Sequence, residues 1–192
     1  MVSRIKLAKE FATEAHGSIG QLRKYTNEPY IVHPALVAQI VTEIGADEAS
    51  IAAAWCHDVL EDTNKAPNEL LKLLGKDVHG LVRELTDVYT DKLMPRWKRK
   101  ELENHRIFNI SSRAQTIKLA DMMANLSDIR HAPNSFAKLY VAEKMATFKF
   151  LHKGDVSLRN RLADFFITHE TDVSILVPTQ LADAIISNEP TL

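Results

Sequence analysis

The 192-residue chain contains one cysteine, only six glycines and no long hydrophobic run. A single cysteine excludes an internal disulfide framework. A membrane-spanning helix needs about 20 consecutive, mainly apolar residues, and the sequence has no such segment. The N-terminal residues also lack the apolar core of a secretory signal peptide. We therefore expect a cytoplasmic protein that does not insert into a membrane.

The sequence also lacks an excess of charge of either sign. It has 24 basic and 25 acidic residues, which give a formal net charge of −1. Binding to extended nucleic acid requires a broad basic face, so we do not expect that class of partner. An anionic ligand would instead need a local cluster of cations. The composition, 45% hydrophobic and 26% charged, is that of an ordinary globular protein, and the sequence leaves a homodimer open.

Apolar residues recur at helical spacing along nearly the whole chain, and this pattern predicts an all-α fold. Pro34 can open a helix that Gly45 ends, and Asp47 is expected to cap the next helix. Ser111 or Ser112 can cap a later helix in the same way. These signals divide the chain into many short helices rather than a few long ones.

The predicted helices cover residues 5–15, 34–44, 47–62, 67–75, 78–85, 96–106, 112–129, 136–151 and 155–169. We expect residues 1–170 to form one domain, because domains commonly reach this size. Residues 171–192 are predicted to be a C-terminal tail, with room for one more helix over residues 178–186.

The segment Ala54–Thr63 places one histidine and three carboxylates directly after an apolar stretch. A buried carboxylate is normally paired, hydrogen-bonded or bound to a metal, because burial of an unpaired one is costly. On a continuous helix His57 and Asp58 lie about 100° apart around the axis and can share one ion. Glu61 and Asp62 follow one turn later, where carboxylates can exchange protons with a water that the metal activates.

Two further side chains are candidates for the same ion. Asp121 and Asn125 repeat the four-residue spacing on a second helix, so Asp121 can reach the ion and Asn125 a substrate or water. His33 lies at a loop-to-helix junction, where the following proline fixes the backbone. With His57 and Asp58 these residues supply two imidazoles and two carboxylates, a set that suits manganese or iron. Zinc fits less well because it usually takes more sulfur or imidazole ligands.

Three ordered segments resemble the HD-domain phosphohydrolases, and more narrowly the hydrolase domain of the RelA/SpoT family and its stand-alone alarmone hydrolases. The segments are Pro29–Pro34, His57-Asp58 with Glu61-Asp62-Thr63, and Ile117–Asp121 with Asn125 and Leu126. The resemblance implies a single, all-helical HD domain that depends on one divalent metal, manganese first. It also implies an activity, the removal of the 3′-pyrophosphate from guanosine 3′,5′-bis(diphosphate) (ppGpp).

The resemblance also implies a role for each matching residue. The metal ligands would be His33, His57, Asp58 and Asp121, the water-activating carboxylates Glu61 and Asp62, and the nucleotide contacts Arg23, Lys24 and Asn125.

A basic segment, Arg96–Lys100, combines four cations with Trp97. Arginine and lysine bind phosphate groups, and a purine base can stack on arginine or on an aromatic ring. We therefore predict that Lys98 and Arg99 contact phosphate. A solvated basic face with no specific role is the alternative.

Three departures from the family pattern leave the substrate open. The loop Gly17–Gly20 is longer than usual, Ala124 replaces a common histidine, and Met122-Met123 replace a basic and a bulky residue. All three lie where a base or ribose would be recognised. One alternative is another nucleotide phosphatase, acting on nucleoside monophosphates or on the 2′-phosphate of NADPH. The other is a non-catalytic module that senses a nucleotide.

Overall fold

The computed structural model describes residues 3–173, apart from the side chains of residues 130, 134 and 169–173. Within that range the all-α prediction is confirmed, since the extended structure is limited to one bridge between Leu22 and Pro29. The helices are α1 (Arg4–Ser18), α2 (Val32–Glu43), α3 (Glu48–Cys56), α4 (Val59–Asp62), α5 (Pro67–Leu85), α6 (Arg96–Asn109), α7 (Ser112–Asp128), α8 (Asn134–Phe148) and α9 (Val156–Val173).

The ends of the described range bear on two predictions. The predicted tail lies outside the described residues from residue 174 on, and so does its helix over residues 178–186. None of the helices within residues 3–173 combines the length and apolar character that a membrane span requires.

Helix α3 is the centre of the fold, and α1, α2 and α5 pack against it. Its residues from Ala49 to Ala54 are all buried, although the side chains in this stretch are mostly alanine. Small side chains let neighbouring helices approach closely on several sides. The end of α3, where His57 follows, therefore lies deep between helices rather than at the surface.

Most of the predicted helix boundaries are confirmed. The Asp47 carboxylate accepts a hydrogen bond from the Ser50 amide at 2.8 Å, as an N-cap does. Gly45 adopts a φ of +73° after α2, and Gly75 adopts a φ of +85° inside α5. Both values lie in the left-handed region that glycine enters without steric cost. Gly75 thus kinks α5 where the sequence predicts the end of one helix and the start of another.

The prediction of one continuous helix over residues 47–62 is wrong. The helix stops at Cys56 and resumes at Val59, so His57 and Asp58 occupy a break between α3 and α4. The His57 ring donates its Nδ1–H to the carbonyl oxygen of Ala54 at 2.8 Å. In a continuous helix that carbonyl would accept the amide of residue 58. The side chain thus takes over a backbone hydrogen bond at the break.

The segment between α1 and α2 is held in place by backbone hydrogen bonds. Helix α1 continues to Ser18, so His16, which follows the predicted end of the helix at residue 15, belongs to its last turn. The Gln21 amide then donates to the carbonyl of His16 at 3.1 Å, and the Gln21 carbonyl accepts the Tyr30 amide at 2.9 Å. These bonds fix where Arg23 and Tyr30 stand relative to the helices.

Helix α7, which carries Asp121, is fixed by close packing against the turn before α9. A Cβ atom added at Gly154 would lie 2.5 Å from Leu119 Cδ1 and 3.3 Å from the carbonyl oxygen of Gln115. Gln115 is fully buried and accepts the Lys153 amide at 2.7 Å. The turn therefore sits directly on α7 and limits its movement.

Candidate active site

Four side chains from three separate segments meet beside the break between α3 and α4. His33 comes from the first turn of α2, and its Nε2 lies 3.2 Å from Asp121 Oδ1 and 3.6 Å from Asp58 Oδ2. His57 Nε2 lies 3.0 Å from Asp58 Oδ2 and 3.7 Å from Asp121 Oδ1. We call His33, His57, Asp58 and Asp121 the four-residue cluster. The donor atoms of its first three members lie within 4.8 Å of one another, as ligands of one ion would.

The hydrogen bonds around His57 leave one ring nitrogen available to a metal. A carbonyl oxygen can only accept, so Nδ1 must carry the proton that bonds to Ala54. In the neutral ring Nε2 then carries a lone pair, and among the described residues this buried atom makes no hydrogen bond, because the Asp58 oxygen 3.0 Å away is also an acceptor. Metal-ligating histidines are typically oriented in this way by a hydrogen bond from the other nitrogen. The cluster therefore fits a divalent cation.

The ring of His33 is held by packing instead. Its Nδ1 is buried and has no hydrogen-bond partner in the described part of the chain. Its centroid lies 5.2 Å from that of His57 and 5.8 Å from that of Tyr30, and His33 is 3% exposed. The neighbouring rings therefore limit how far His33 can turn.

The charges of the cluster favour a cation at its centre. Burial would raise the pKa of Asp58, but the charge of His57 lowers it well below the usual range. Burial would lower the pKa of His57, but the charge of Asp58 raises it to about 10. Two carboxylates thus stabilise positive charge at this point, and a proton or a metal ion can supply it. A metal that binds here would displace the proton, because only a neutral imidazole is a ligand.

Asp121 is held from two further sides. Lys118, one turn earlier on α7, places its ammonium 3.3 Å from Asp121 Oδ2. Burial would raise the pKa of Asp121, but the charge of Lys118 keeps it well below the usual range. Asn125, one turn later, donates from Nδ2 to Asp121 Oδ1 at 2.5 Å. The carboxylate is thereby fixed with Oδ1 toward the two histidines.

Tyr30 is a contact of the cluster that the sequence reasoning misses. Its hydroxyl donates to Asp58 Oδ2 at 2.6 Å. Burial and the charge of Asp58 raise the pKa of Tyr30 far above its ordinary value, so the phenol stays a donor. Tyr30 belongs to the Pro29–Pro34 segment. Its hydrogen bond with Asp58 depends on tertiary packing, which no local sequence pattern predicts.

Glu61 and Asp62 lie on α4 and line a cavity of about 380 Å³ next to the break. A Glu61 oxygen accepts a hydrogen bond from the Asp87 amide, and Asp62 Oδ2 accepts one from Gln21 Nε2 at 2.9 Å. Glu61 stands exposed at the rim, yet partial desolvation raises its pKa to about 7 against the lowering effect of Lys118. The two adjacent carboxylates therefore have different surroundings.

The predicted nucleotide contacts near α1 and α7 are brought together in part. Arg23 Nη2 donates to Asp128 Oδ2 at 2.6 Å and to Asn125 Oδ1 at 3.4 Å. Its guanidinium also lies 5.7 Å from the ring centre of Tyr30. Arg23 and Asn125 thus form one chain of contacts that reaches Asp121. Lys24 points elsewhere, with its ammonium 4.8 Å from the ring centre of Phe136.

The basic segment divides its residues between the cavity and the outer surface. Arg99 lines the cavity beside Glu61 and Asp62, together with Tyr89 and Lys92, which the sequence reasoning misses. It also lines a smaller adjoining cavity of about 90 Å³. Lys98 lines neither of these cavities, and its ammonium pairs with Glu101 at 2.7 Å on the same helix. Adjacent helical positions point about 100° apart, so the two residues face different directions.

Met122 and Ala124, two of the positions that depart from the family pattern, do not line either cavity. Both residues are buried in the core, with 1% exposure each, and Met123 packs partly buried against it. The expectation that these positions would meet a base or ribose is therefore wrong for Met122 and Ala124. Met122 directly follows Asp121 and therefore points about 100° away from it around the helix, into the core.

Comparisons with known proteins agree with this architecture. A family model described as HD domain matches residues 8–154. The guanosine-3′,5′-bis(diphosphate) 3′-pyrophosphohydrolase MESH1 of Xenopus tropicalis is 38% identical over 140 residues, which cover 71% of this chain and 75% of that protein. The corresponding protein of Homo sapiens is 38% identical over 141 residues, with the same coverage of both chains.

Two further comparisons show the same similarity. A guanosine-3′,5′-bis(diphosphate) 3′-pyrophosphohydrolase of Aquifex aeolicus is 35% identical over 84% of this chain, which corresponds to 23% of that much longer protein. A solved structure described as a metazoan ortholog of SpoT that hydrolyzes ppGpp superimposes with a TM-score of 0.78 and 30% identity. That superposition covers 88% of this chain and 97% of the other.

Proposed function

Because this chain belongs to the HD domain family, we propose that it is a metal-dependent phosphohydrolase that releases pyrophosphate from the 3′ position of ppGpp. One observation carries the proposal: two imidazoles and two carboxylates of the four-residue cluster lie around one point, and Glu61 and Asp62 follow Asp58 by three and four residues. Relatives named for this activity are similar over 71% of the chain. The reaction needs water, which breaks the bond between the 3′-oxygen and its phosphorus.

The four-residue cluster would hold the metal, with His33 and His57 as nitrogen ligands and Asp58 and Asp121 as oxygen ligands. We propose manganese, because a mixed nitrogen and oxygen set suits it, with iron or zinc as the alternatives. When bound, such a cation lowers the pKa of a water ligand and polarises the phosphoryl group.

Glu61 and Asp62 would divide the proton transfers between them. Pairs of carboxylates whose environments differ commonly take different acid and base roles. Asp62 accepts an amide N–H from Gln21, which suits an ionised carboxylate that takes the proton of the attacking water. The pKa of Glu61, raised by desolvation to about 7, leaves part of its population protonated at neutral pH. Glu61 can then donate that proton to the leaving 3′-oxygen.

Cations around the cavity would hold the nucleotide. Arg99 faces the cavity and makes no ion pair within the described residues, so its guanidinium is available to a phosphate. We propose that Arg23 and Asn125 contact the nucleotide from the side opposite Arg99. Arg23 donates to Asn125, and Asn125 donates to Asp121. We give Lys24 no contact, because its ammonium faces the ring of Phe136 instead. We give Lys98 no contact, because it pairs with Glu101 away from the cavity.

An assay of the purified, manganese-loaded protein against a nucleotide panel tests the proposal. Pyrophosphate and orthophosphate are measured separately for ppGpp, nucleoside monophosphates and NADPH. We expect pyrophosphate from ppGpp at the highest kcat/KM. Orthophosphate from the other nucleotides alone would favour a different phosphatase, and saturable binding without turnover would favour a nucleotide sensor.

A further inference from the structure

The carboxylate of Asp62 needs an external support that α4 does not provide. Helix α4 is a single turn, Val59–Asp62, and Asp62 is its exposed last residue. A side chain in that position would ordinarily sample several rotamers. Within residues 3–173 the carboxylate has one hydrogen-bond partner, Gln21 Nε2, at 2.9 Å.

Each backbone and side-chain polar group of Gln21 makes a hydrogen bond. Its backbone amide bonds to the carbonyl of His16 and its carbonyl to the amide of Tyr30. Its side-chain oxygen lies 2.6 Å from Nδ1 of His16. Both ends of the side-chain amide are therefore occupied, one by His16 and the other by Asp62, so the amide cannot rotate without breaking a hydrogen bond.

The donor and acceptor character of each group determines the direction of the hydrogen bonds from His16 through Gln21 to Asp62. An ionised carboxylate only accepts, so Gln21 must present its NH₂ to Asp62 and its oxygen to the histidine. That oxygen also only accepts, so His16 must carry its proton on Nδ1. His16 is 1% exposed in the last turn of α1, and its ring packs 4.8 Å from that of Tyr30. This chain of hydrogen bonds thus begins at a buried core residue.

We infer that His16 and Gln21 form a positioning relay that aims the carboxylate of Asp62 at the reacting water. The inference rests on the role proposed above for Asp62. The buried histidine orients the glutamine amide, and the amide fixes one oxygen of Asp62 while the other stays free to take a proton. His16 and Gln21 lie outside the four-residue cluster and act through Asp62, so we describe both as positioning residues rather than catalytic ones.

Isosteric substitutions separate the relay from simple packing. Gln21→Met keeps the length of the side chain and removes both hydrogen bonds. We expect kcat to fall on the order of 100-fold, because a misplaced catalytic group typically costs about that much. KM and bound manganese should be unchanged.

The side chains introduced by His16→Asn and His16→Leu have nearly the same shape, and both lose the ring contact with Tyr30. Only asparagine keeps a donor near the position of Nδ1. His16→Asn should therefore retain more activity than His16→Leu.

A double-mutant cycle supplies a readout that a merely structural role would not give. If the relay acts through Asp62, Gln21→Met should cause no further loss of kcat in an Asp62→Asn background. Independent, multiplicative losses would overturn the inference, and so would equal activity of His16→Asn and His16→Leu.

Nuclear magnetic resonance tests the relay without any turnover. The side-chain amide resonances of Gln21 should shift in both Asp62→Ala and His16→Leu, since each substitution removes one of its hydrogen-bond partners. Unchanged resonances in both variants would overturn the relay whatever the substrate is. If the wild-type protein hydrolyses no nucleotide while these resonances shift, the proposed function fails and the relay stands as a structural device.

Discussion

The four-residue cluster and the basic segment both collect charge, but they treat it differently. The histidines of the cluster are 3% and 2% exposed, and Asp121 is 5% exposed. In the basic segment the cations stay at or near the surface, and most pair with acids of the same chain. Arg96 pairs with Glu143, Lys98 with Glu101 and Lys100 with Asp87.

This difference indicates which part of the site is preorganised before a ligand binds. Buried charges are costly to leave unpaired, so the cluster holds one arrangement and suits a cation that stays bound. Surface ion pairs contribute little, about 0 to 1 kcal/mol, so a phosphate can replace an acidic partner at small cost. We therefore expect changes in the cluster to abolish activity and changes in the basic segment to weaken substrate binding.

The largest effect should come from Asp58→Ala. The cluster would lose one ligand and the hydrogen-bond acceptor of Tyr30, so bound manganese should disappear. Activity should fall by at least about 1000-fold, since metal catalysis is worth several kcal/mol and each 1.36 kcal/mol is tenfold. Elemental analysis and steady-state kinetics measure both quantities. Asp164→Ala, which changes an exposed carboxylate on α9, is the control and should keep both.

Glu61→Gln should separate proton transfer from metal binding. The amide keeps the shape of the side chain and can still accept the Asp87 amide, but it cannot donate the proton of a carboxylic acid. We expect kcat to fall about 100-fold, within the usual range for loss of a general acid, with manganese content unchanged. A variant that lost its manganese would instead place Glu61 among the groups that hold the cluster together.

The pH dependence should follow from the same residue. A general acid works in its protonated form, and desolvation raises the pKa of Glu61 to about 7. The rate should therefore decline as the pH rises through about 7, roughly tenfold between pH 6 and pH 8 for a single group of this pKa. A kcat profile of wild type and Glu61→Gln measures this decline. The variant should lack it, and a profile with the same falling limb in both proteins would assign that limb to another group.

The smallest effect should distinguish two neighbours in the basic segment. Arg99→Ala removes a guanidinium that lines the cavity. It should raise KM about tenfold, because a hydrogen bond to a charged group is worth about 1.5 to 3 kcal/mol. Lys98→Ala removes a cation of the same helix that pairs with Glu101 and should leave KM within about twofold. Equal effects of the two substitutions would mean that the segment acts only through its overall charge.

The local signals in the sequence predict the fold because each acts within a few residues. Asp47 as a cap, Gly45 as a stop and Gly75 as a break are all confirmed. The break at His57-Asp58 is not predictable in this way, because the apolar periodicity continues through it. A side-chain hydrogen bond from His57 to Ala54 interrupts the helix, and no scale of helix propensity contains that contact.

Two features of the site depend on tertiary packing and therefore cannot be predicted from local sequence patterns. Tyr30 and Gln21 reach Asp58 and Asp62 across 28 and 41 residues of chain. Lys98 and Arg99 are equivalent in sequence, and only the rotation of α6 decides which one faces the cavity. The sequence therefore predicts the residue types of the site better than the residues that orient them.

Anomalous diffraction from crystals grown with manganese tests the central claim most directly. We predict one anomalous peak within coordination distance of Nε2 of both His33 and His57 and of one oxygen each from Asp58 and Asp121. The peak should vanish in Asp58→Ala crystals. A wild-type crystal with no peak at this point, although manganese saturates the solution, would contradict the account.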